Sequence, residues 1–328
     1  MNQILRAERI ESYKTQFGHS KPLLITAENG KKFLIKRRFL EAKTRTGTKI
    51  IDEDAASLQE YISYRLANLL EVPVPKFAII KLDHNFCQNN YEQLNRDILG
   101  EGEYFGSAFL ENAKTGPKTE KQLKNPENIE ILQKAWQSFL KDYDPKVLAE
   151  IIVFSLFVAN ADCFDNLTNI LFTKNKVYAI DFAHSFGGPE LPCKEISSTV
   201  SKITKENFLN LFLNKQDYFI ERIEKIDLWG EKPNSLGKMF DILVNMPSFK
   251  KNPFTEIVSK IEALDDEKIL EIFDEIPDSW FKSRVIKKQK LIYIDFLKKN
   301  RLNVKAILEK METSKLIRND SINKCNYT

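Results

Sequence analysis

The sequence has few cysteines and lacks the segments that direct a chain into or across a membrane. Its four cysteines are scattered among 328 residues without a CxxC pair, which argues against a disulfide framework or a zinc site and favours a reducing, cytoplasmic setting. The first residues, MNQILRAERIESYK, are charged and contain no apolar core of a signal peptide. No run of about 18 apolar residues occurs, so no membrane span is expected.

An excess of charge of one sign is also lacking. The 50 basic and 46 acidic residues give a net charge of +4, which is too small to indicate nucleic-acid binding. The composition is that of a soluble globular protein, with 42% hydrophobic and 29% charged residues. The length of 328 residues is enough for one large domain or for two lobes with cores of their own.

The first third of the chain has the pattern of short strands. Apolar runs at 22–27 and 31–39 flank the turn residues Glu28, Asn29 and Gly30, which predicts a β-hairpin. The pattern that follows predicts a polar loop at 42–49, a helix over 54–70, and strands at 72–80 and 102–113.

After Pro126 the pattern becomes helical. Helices are predicted at 127–141, 145–159, 204–225, 235–246, 255–275 and 285–311. A tight hairpin at 169–181, which turns at Lys174 and Asn175, interrupts them. A strand-rich part containing one helix therefore precedes a mainly helical part, which indicates an α+β fold.

A polar segment, NADCFDNLTN (160–169), lies between the apolar segments 151–159 and 170–171. Polar groups beside buried segments are costly unless they are paired, bound to metal or functional. Asp162 and Asp165 are both candidate bases, and Asn166 and Asn169 are both candidate metal ligands.

Asp181 follows the second strand of the predicted hairpin, where a carboxylate can project from a strand end and bind magnesium. A turn-capping aspartate is the alternative interpretation of Asp181 alone. Because the hairpin joins Asp181 to the polar segment, we favour a functional pair.

Three further groups of residues have a functional and a plain interpretation. Lys36 ends the alternating strand FLIK and is either a phosphate-binding cation or an exposed lysine. Glu60 is either a partner for Lys36 or a glutamate on a solvated helix face, because it points away from the apolar stripe of its helix. Gly18 and Ser20 belong to a segment, FGHSKP, that is either a phosphate-binding loop or an ordinary turn.

These motifs together resemble the HipA-like kinases, and most closely the compact, free-standing branch of that family. NADCFDNLTNILF and VYAIDFAHSF are similar to the family's catalytic and metal-binding segments. Upstream, GHSKPLLITAENGKKFLIK resembles the family's phosphate loop and strand lysine. The segment LQEYISYRLANLLEVPVP resembles its helix and the strand that follows, and EYFGSAF resembles its strand between the lobes. The matches occur in the same order over about residues 15–186.

The resemblance implies a role for each matching residue. Asp162 would be the catalytic base, and Asn169 and Asp181 would bind Mg²⁺. Lys36 would contact the phosphates of ATP and pair with Glu60. Gly18 and Ser20 would lie in the phosphate loop, close to the nucleotide.

Two residues depart from the family pattern. Cys163 stands where the family usually has arginine, so a charge beside the catalytic loop is missing. Ala183 stands in the glycine position after the metal-binding aspartate. Both departures leave a nucleotide-binding pseudokinase open as an alternative to an active kinase.

The sequence thus predicts a two-lobed, protein-kinase-like fold with a nucleotide-binding lobe at 1–105 and a helical lobe at 106–328. The expected activity is ATP- and magnesium-dependent phosphoryl transfer to a serine or threonine of a protein substrate. Transfer to a small molecule or a lipid headgroup is the alternative, and neither nucleic-acid nor membrane binding is expected.

Overall fold

The computed structural model describes residues 4–11, 22–44, 47–53, 55–96, 99–116, 138–160, 169–187, 254–281 and 286–313. The strands are β1 (Ile4–Ile10), β2 (Leu23–Ala27), β3 (Lys32–Ile35), β4 (Phe39–Thr44), β5 (Gly47–Asp52), β6 (Phe77–Leu82), β7 (Gly102–Ala108), β8 (Ile170–Phe172) and β9 (Val177–Ala179). The helices are α1 (Ala56–Leu69), α2 (His84–Asn89), α3 (Tyr91–Arg96), α4 (Pro145–Phe157), α5 (Thr255–Glu262), α6 (Asp266–Asp274) and α7 (Ile286–Thr313).

Five strands of the N-terminal part close into a barrel in the order β1-β2-β3-β7-β6. Neighbouring strands are antiparallel except β1 and β6, which are parallel. Side chains alternate between the two faces of each strand. In β6, Ile80 and Leu82 therefore belong to the core inside the barrel, whereas Ile79 belongs to a second core outside it.

The segment predicted as a polar loop at 42–49 is instead part of a β-hairpin. Strands β4 and β5 form a separate two-stranded sheet with a register that runs from Phe39 opposite Asp52 to Thr44 opposite Gly47. The prediction was wrong because a hairpin outside the core needs no apolar alternation, and alternation was the signal used.

Helix α1 is buried on nearly all sides. Its side chains from Leu58 to Tyr64 are all buried, polar and apolar alike. Tyr64 packs edge-on against Phe77 and Phe105 of the barrel strands, while Tyr61 packs against Trp280 of the helical part. The helix thus lies between the barrel and the helical part and shares the larger core with both.

The helical part consists of α4 to α7. The predicted helix at 255–275 is two helices, because Asp265 accepts a hydrogen bond from the backbone amide of Glu267 and caps the start of α6. Helix α7 packs against α4, α5 and α6. None of the helices in the described ranges is long and apolar enough to cross a membrane.

The predicted mixture of strands and helices is confirmed, as are a helix within 54–70 and the hairpin within 169–181, which β8 and β9 form. The short helices α2 and α3 were not predicted. The helices predicted at 204–225 and 235–246, and most of the one at 127–141, lie outside the described residues. The two-lobed arrangement and its boundary stay predictions.

The barrel interior generates one test at Gly106 of β7. A Cβ atom at this position would lie 2.5 Å from Cγ1 of Ile80 and 3.4 Å from Cβ of Phe33. We expect Gly106→Ala to lower the free energy of unfolding by about 1–3 kcal/mol, because overpacking shifts side chains in a filled core. Gly100→Ala is the matched control, since a Cβ there meets nothing within 4 Å. Equal thermal midpoints for the two variants would contradict this account.

Candidate active site

Lys36 lies at the end of β3 and contacts two carboxylates from distant parts of the chain. Its Nζ is 2.6 Å from Oε1 of Glu60 on α1 and donates a hydrogen bond to Oδ1 of Asp181, which follows β9. Only 13% of the lysine side chain is exposed. The ammonium group therefore joins the barrel, the buried helix and the hairpin end at one point.

Glu60 is 1% exposed, so its interpretation as a glutamate on a solvated helix face is wrong. Sequence periodicity finds only the side of a helix that carries the apolar stripe. Here the opposite side is covered as well, because α1 lies between the barrel and the helical part. A buried carboxylate needs a charged partner, and Lys36 is that partner.

Asp181 has a left-handed backbone, with a φ of 63°. This conformation is costly for a residue other than glycine and persists only where neighbouring groups hold it. Asn160 supplies one such contact, because its Nδ2 donates a hydrogen bond of 3.0 Å to the Asp181 carbonyl. The carboxylate is 31% exposed, far more than that of Glu60.

The pKa values of the two carboxyl groups are shifted in opposite directions. Burial raises the pKa of Glu60, although Lys36 and the backbone amide of Phe182 favour its charged form. Burial also acts to raise the pKa of Asp181, but there the charge of Lys36 and its hydrogen bond prevail and the pKa lies below its usual range. Burial opposes the charge on Lys36, but Asp181 first and then Glu60 raise its pKa, so the ammonium is retained.

Asn160 owes its position to the way α4 ends. The amide of Asn160 donates to the carbonyl of Ser155 at 2.9 Å, and the amide of Ala159 donates to that of Leu156 at 3.1 Å. With Ala159 at a φ of 50°, this is a Schellman turn that has alanine in the usual glycine position. The turn directs the Asn160 side chain inward, where it is 0% exposed.

Sequence reasoning did not single out Asn160 as a site residue. The available signal was an asparagine directly after an apolar helix, in a turn where the backbone reverses. Its Nδ2 contacts Asp181, while its Oδ1 is buried and accepts no hydrogen bond from the described residues.

Asn169 is buried at the start of the hairpin, beside the segment that carries Asp181. Its carbonyl accepts a hydrogen bond of 3.0 Å from the amide of Ile180. This contact extends the pairing of β8 with β9 by one step. The backbone therefore places Asn169 close to the residue that precedes Asp181.

The turn after Asp181 is packed into the larger core. Phe182 lies edge-on against Tyr64 and Phe154, and Ala183 is buried in the predicted glycine position. The amide of Phe186 donates to the carbonyl of Val158 at 2.8 Å, so this turn is tied to the end of α4.

The other candidate site residues lie outside the described residues, as does Cys163: they are Gly18, Ser20, Asp162, Asp165 and Asn166. Within the described part of the chain, no group of three or more His, Cys, Asp and Glu side chains is arranged to hold a metal ion. What the structure places together is one buried cation, two carboxylates of different pKa and two asparagines.

Of the comparisons with known proteins, the one with family models agrees with the motifs. One solved structure similar to this chain is the Helicobacter pylori proinflammatory kinase CtkA, at 14% identity and a TM-score of 0.48, covering 95% of this chain and 98% of that chain. No curated protein is significantly similar. The family model of HipA-like kinases matches residues 9–229, which is more than half of the chain. The chain therefore belongs to the HipA-like kinase family, a family of phosphotransferases.

Proposed function

We propose that this protein is an ATP- and magnesium-dependent kinase that phosphorylates a serine or threonine of a protein substrate. The observation that carries the proposal is the contact of Lys36 with both Glu60 and Asp181. A phosphotransferase needs a fixed cation for the phosphates and a nearby carboxylate for the metal ion, and this contact places both groups together.

The residues present fit a magnesium ion. Mg²⁺ takes oxygen ligands and usually binds through one or two carboxylates plus substrate phosphates. Asp181 offers a partly exposed carboxylate of lowered pKa, which stays ionised at neutral pH. Asn169 lies beside the Asp181 segment, and the Oδ1 of Asn160 is an orphaned buried oxygen next to the Asp181 backbone. Asp181 and Asn169 would hold the ion, which would neutralise charge on the phosphates.

Each residue then has one task in the reaction. Glu60, whose carboxylate is buried, holds Lys36 in place by its charge, and Lys36 contacts the phosphates. Gly18 and Ser20 approach the phosphates through the backbone of their loop. Asp162 accepts the proton of the attacking hydroxyl. Lys36 contacts Asp181 in this structure, so the Asp181 carboxylate would act both on this cation and on a bound magnesium ion.

The proposed architecture is a nucleotide-binding lobe at 1–105 and a helical lobe at 106–328. Four of the five barrel strands and α1 belong to the first part, which carries Lys36 and Glu60, and the fifth strand, β7, spans the proposed boundary. Asp181 follows the hairpin of the second part. The core inside the barrel supports this division, because its buried residues all lie between Leu5 and Leu99, whereas both parts share the core outside the barrel.

The activity itself has a direct test. The purified chain, incubated with γ-labelled ATP and Mg²⁺, should transfer label to a protein in a lysate or to itself, and chelation of the metal should stop the transfer. Phosphoamino acid analysis should find labelled serine or threonine. Label that appears only in small molecules or lipids would contradict a protein acceptor, and ATP binding without any transfer would favour the pseudokinase.

A pair of variants separates the structural from the chemical role of Lys36. Lys36→Met leaves Glu60 buried without its cation, which should lower the free energy of unfolding by about 3 kcal/mol or more. Adding Glu60→Gln removes the unpaired charge and should restore most of that stability. Transfer should stay at least about 100-fold below wild type in both, because the phosphates lack their cation.

Chemical denaturation and labelled-ATP transfer measure the two effects. The Glu60→Gln single variant is the control for the amide itself. If the double variant regained activity along with stability, Lys36 would be a structural residue.

The two aspartates of the polar segment distinguish the proposed base from its neighbour. Asp162→Ala should lower transfer by about 10²–10⁴-fold while leaving the affinity for Mg·ATP close to wild type, because the base does not hold the nucleotide. Asp165→Ala is the matched control and should keep most of its activity. The reverse result would assign the base to Asp165 and break the family alignment in this loop.

A further inference from the structure

Helix α7 lies beyond the segment that the family model matches, 9–229, and yet it contacts the elements that build the site. Tyr293 packs edge-on against Phe186 at 5.2 Å between ring centroids, and its hydroxyl accepts a hydrogen bond of 3.2 Å from Nε2 of Gln59, the neighbour of Glu60. One helix thus contacts both α1 and the turn that follows Asp181.

The contact of α7 with the end of α4 is made by Asn300, which is 0% exposed. Its Nδ2 donates to the carbonyls of Leu156 and Phe157, at 3.1 and 2.5 Å. The last carbonyls of a helix lack partners within the regular helix and take them from the following turn or from elsewhere. The Leu156 carbonyl already accepts from the amide of Ala159 in this turn, and Asn300 adds a second donor to it and a donor to Phe157, directly before Asn160.

A continuous set of contacts leads from this turn to the cation. Asn160 donates to the carbonyl of Asp181, and the carboxylate of Asp181 contacts Lys36. The ring of Phe186 packs edge-on against Tyr293 and Phe296 of α7, and its amide donates to the carbonyl of Val158 in the same turn. A shift of the end of α4 would therefore move the Asp181 backbone through two contacts, the hydrogen bond from Asn160 and the one between Phe186 and Val158.

From these contacts we infer that Asn300 is a positioning residue for metal binding, which acts by fixing the end of α4 and, through Asn160, the left-handed backbone of Asp181. Asn300 itself touches neither nucleotide nor metal. The inference rests on the proposed role of Asp181 in holding magnesium. Groups that orient a metal ligand from behind affect metal affinity by about 10–100-fold when they are changed.

The test uses Asn300→Leu in the full chain, because leucine has a similar shape and no hydrogen-bond donor. Calorimetric titration should show Mg·ATP binding weakened by about 10-fold or more, with binding of ATP in EDTA unchanged. The Mg²⁺ concentration for half-maximal transfer should rise by a similar factor. A merely structural role would leave both magnesium dependences unchanged in the folded protein well below its thermal midpoint.

Asn303→Leu is the matched control, since Asn303 lies on the same helix, is half-buried and makes no side-chain hydrogen bond to the described residues. It should bind Mg·ATP as wild type does. If Asn300→Leu does not fold, Asn300→Ser takes its place, because serine also lacks the amide and is smaller. Wild-type magnesium dependence in a folded Asn300 variant would overturn the inference.

A double variant separates this inference from the proposed function. Asp181→Asn should itself lose the magnesium dependence of ATP binding. Adding Asn300→Leu to Asp181→Asn should not weaken Mg·ATP binding further, because both substitutions act through the Asp181 carboxylate. Further loss in the double variant would overturn the route through Asp181. If wild type and Asp181→Asn bound ATP equally with and without magnesium, the proposed role of Asp181 would fail, and this inference with it.

Discussion

A buried lysine between two carboxylates is the interaction on which the rest of the site depends. Burial opposes the charge of Lys36, while the carboxylates of Asp181 and Glu60 beside it raise its pKa and favour the ammonium. Burial likewise opposes the charge of Glu60, which is buried more deeply than Lys36, and the charge of Lys36 favours the carboxylate form. The ends of β3 and β9 and the middle of α1 are therefore held in a single relative position by charge, in addition to their packing.

Three of the five non-glycine residues with a positive φ in the described ranges belong to the turns around Asp181. Ala159, Asp181 and Phe186 all have a positive φ, between 50° and 63°, and none of them is glycine. Such residues cost about 1–2 kcal/mol each and persist where the surroundings determine them. Here the strained residues are held by hydrogen bonds that link their turns. The amide of Asn160 closes the turn at Ala159, and the Asn160 side chain donates to the carbonyl of Asp181. The amide of Phe186 donates to the carbonyl of Val158. The three strained residues stabilise one another through two short turns.

Apolar periodicity, which depends on neighbours in sequence, predicted α1 and the β8–β9 hairpin, whereas it missed the β4–β5 hairpin and could not predict what depends on tertiary cover. The apolar spacing of α1 is a local property, and the helix was found. Whether Glu60 faces water depends on what covers the other side of that helix, and the contacts there come from Lys36 and the backbone of Phe182, neither of which lies on that helix. Asn160 and Asn300 were missed for a related reason, because a buried amide is recognised by the carbonyl it meets, which is far away in sequence.

The extent of the family match does not define the extent of the structure that supports the site. The match ends at residue 229, yet Glu275 accepts hydrogen bonds from Tyr61 and Arg65 of α1, and Tyr293 and Asn300 contact α1 and the end of α4. Without these residues, Gln59 and Tyr61, on two different sides of α1, would lose the hydrogen bonds that tie them to the C-terminal helices. The C-terminal helices therefore act on the cation indirectly, by helping to fix the position of α1, the helix that carries Glu60 to Lys36.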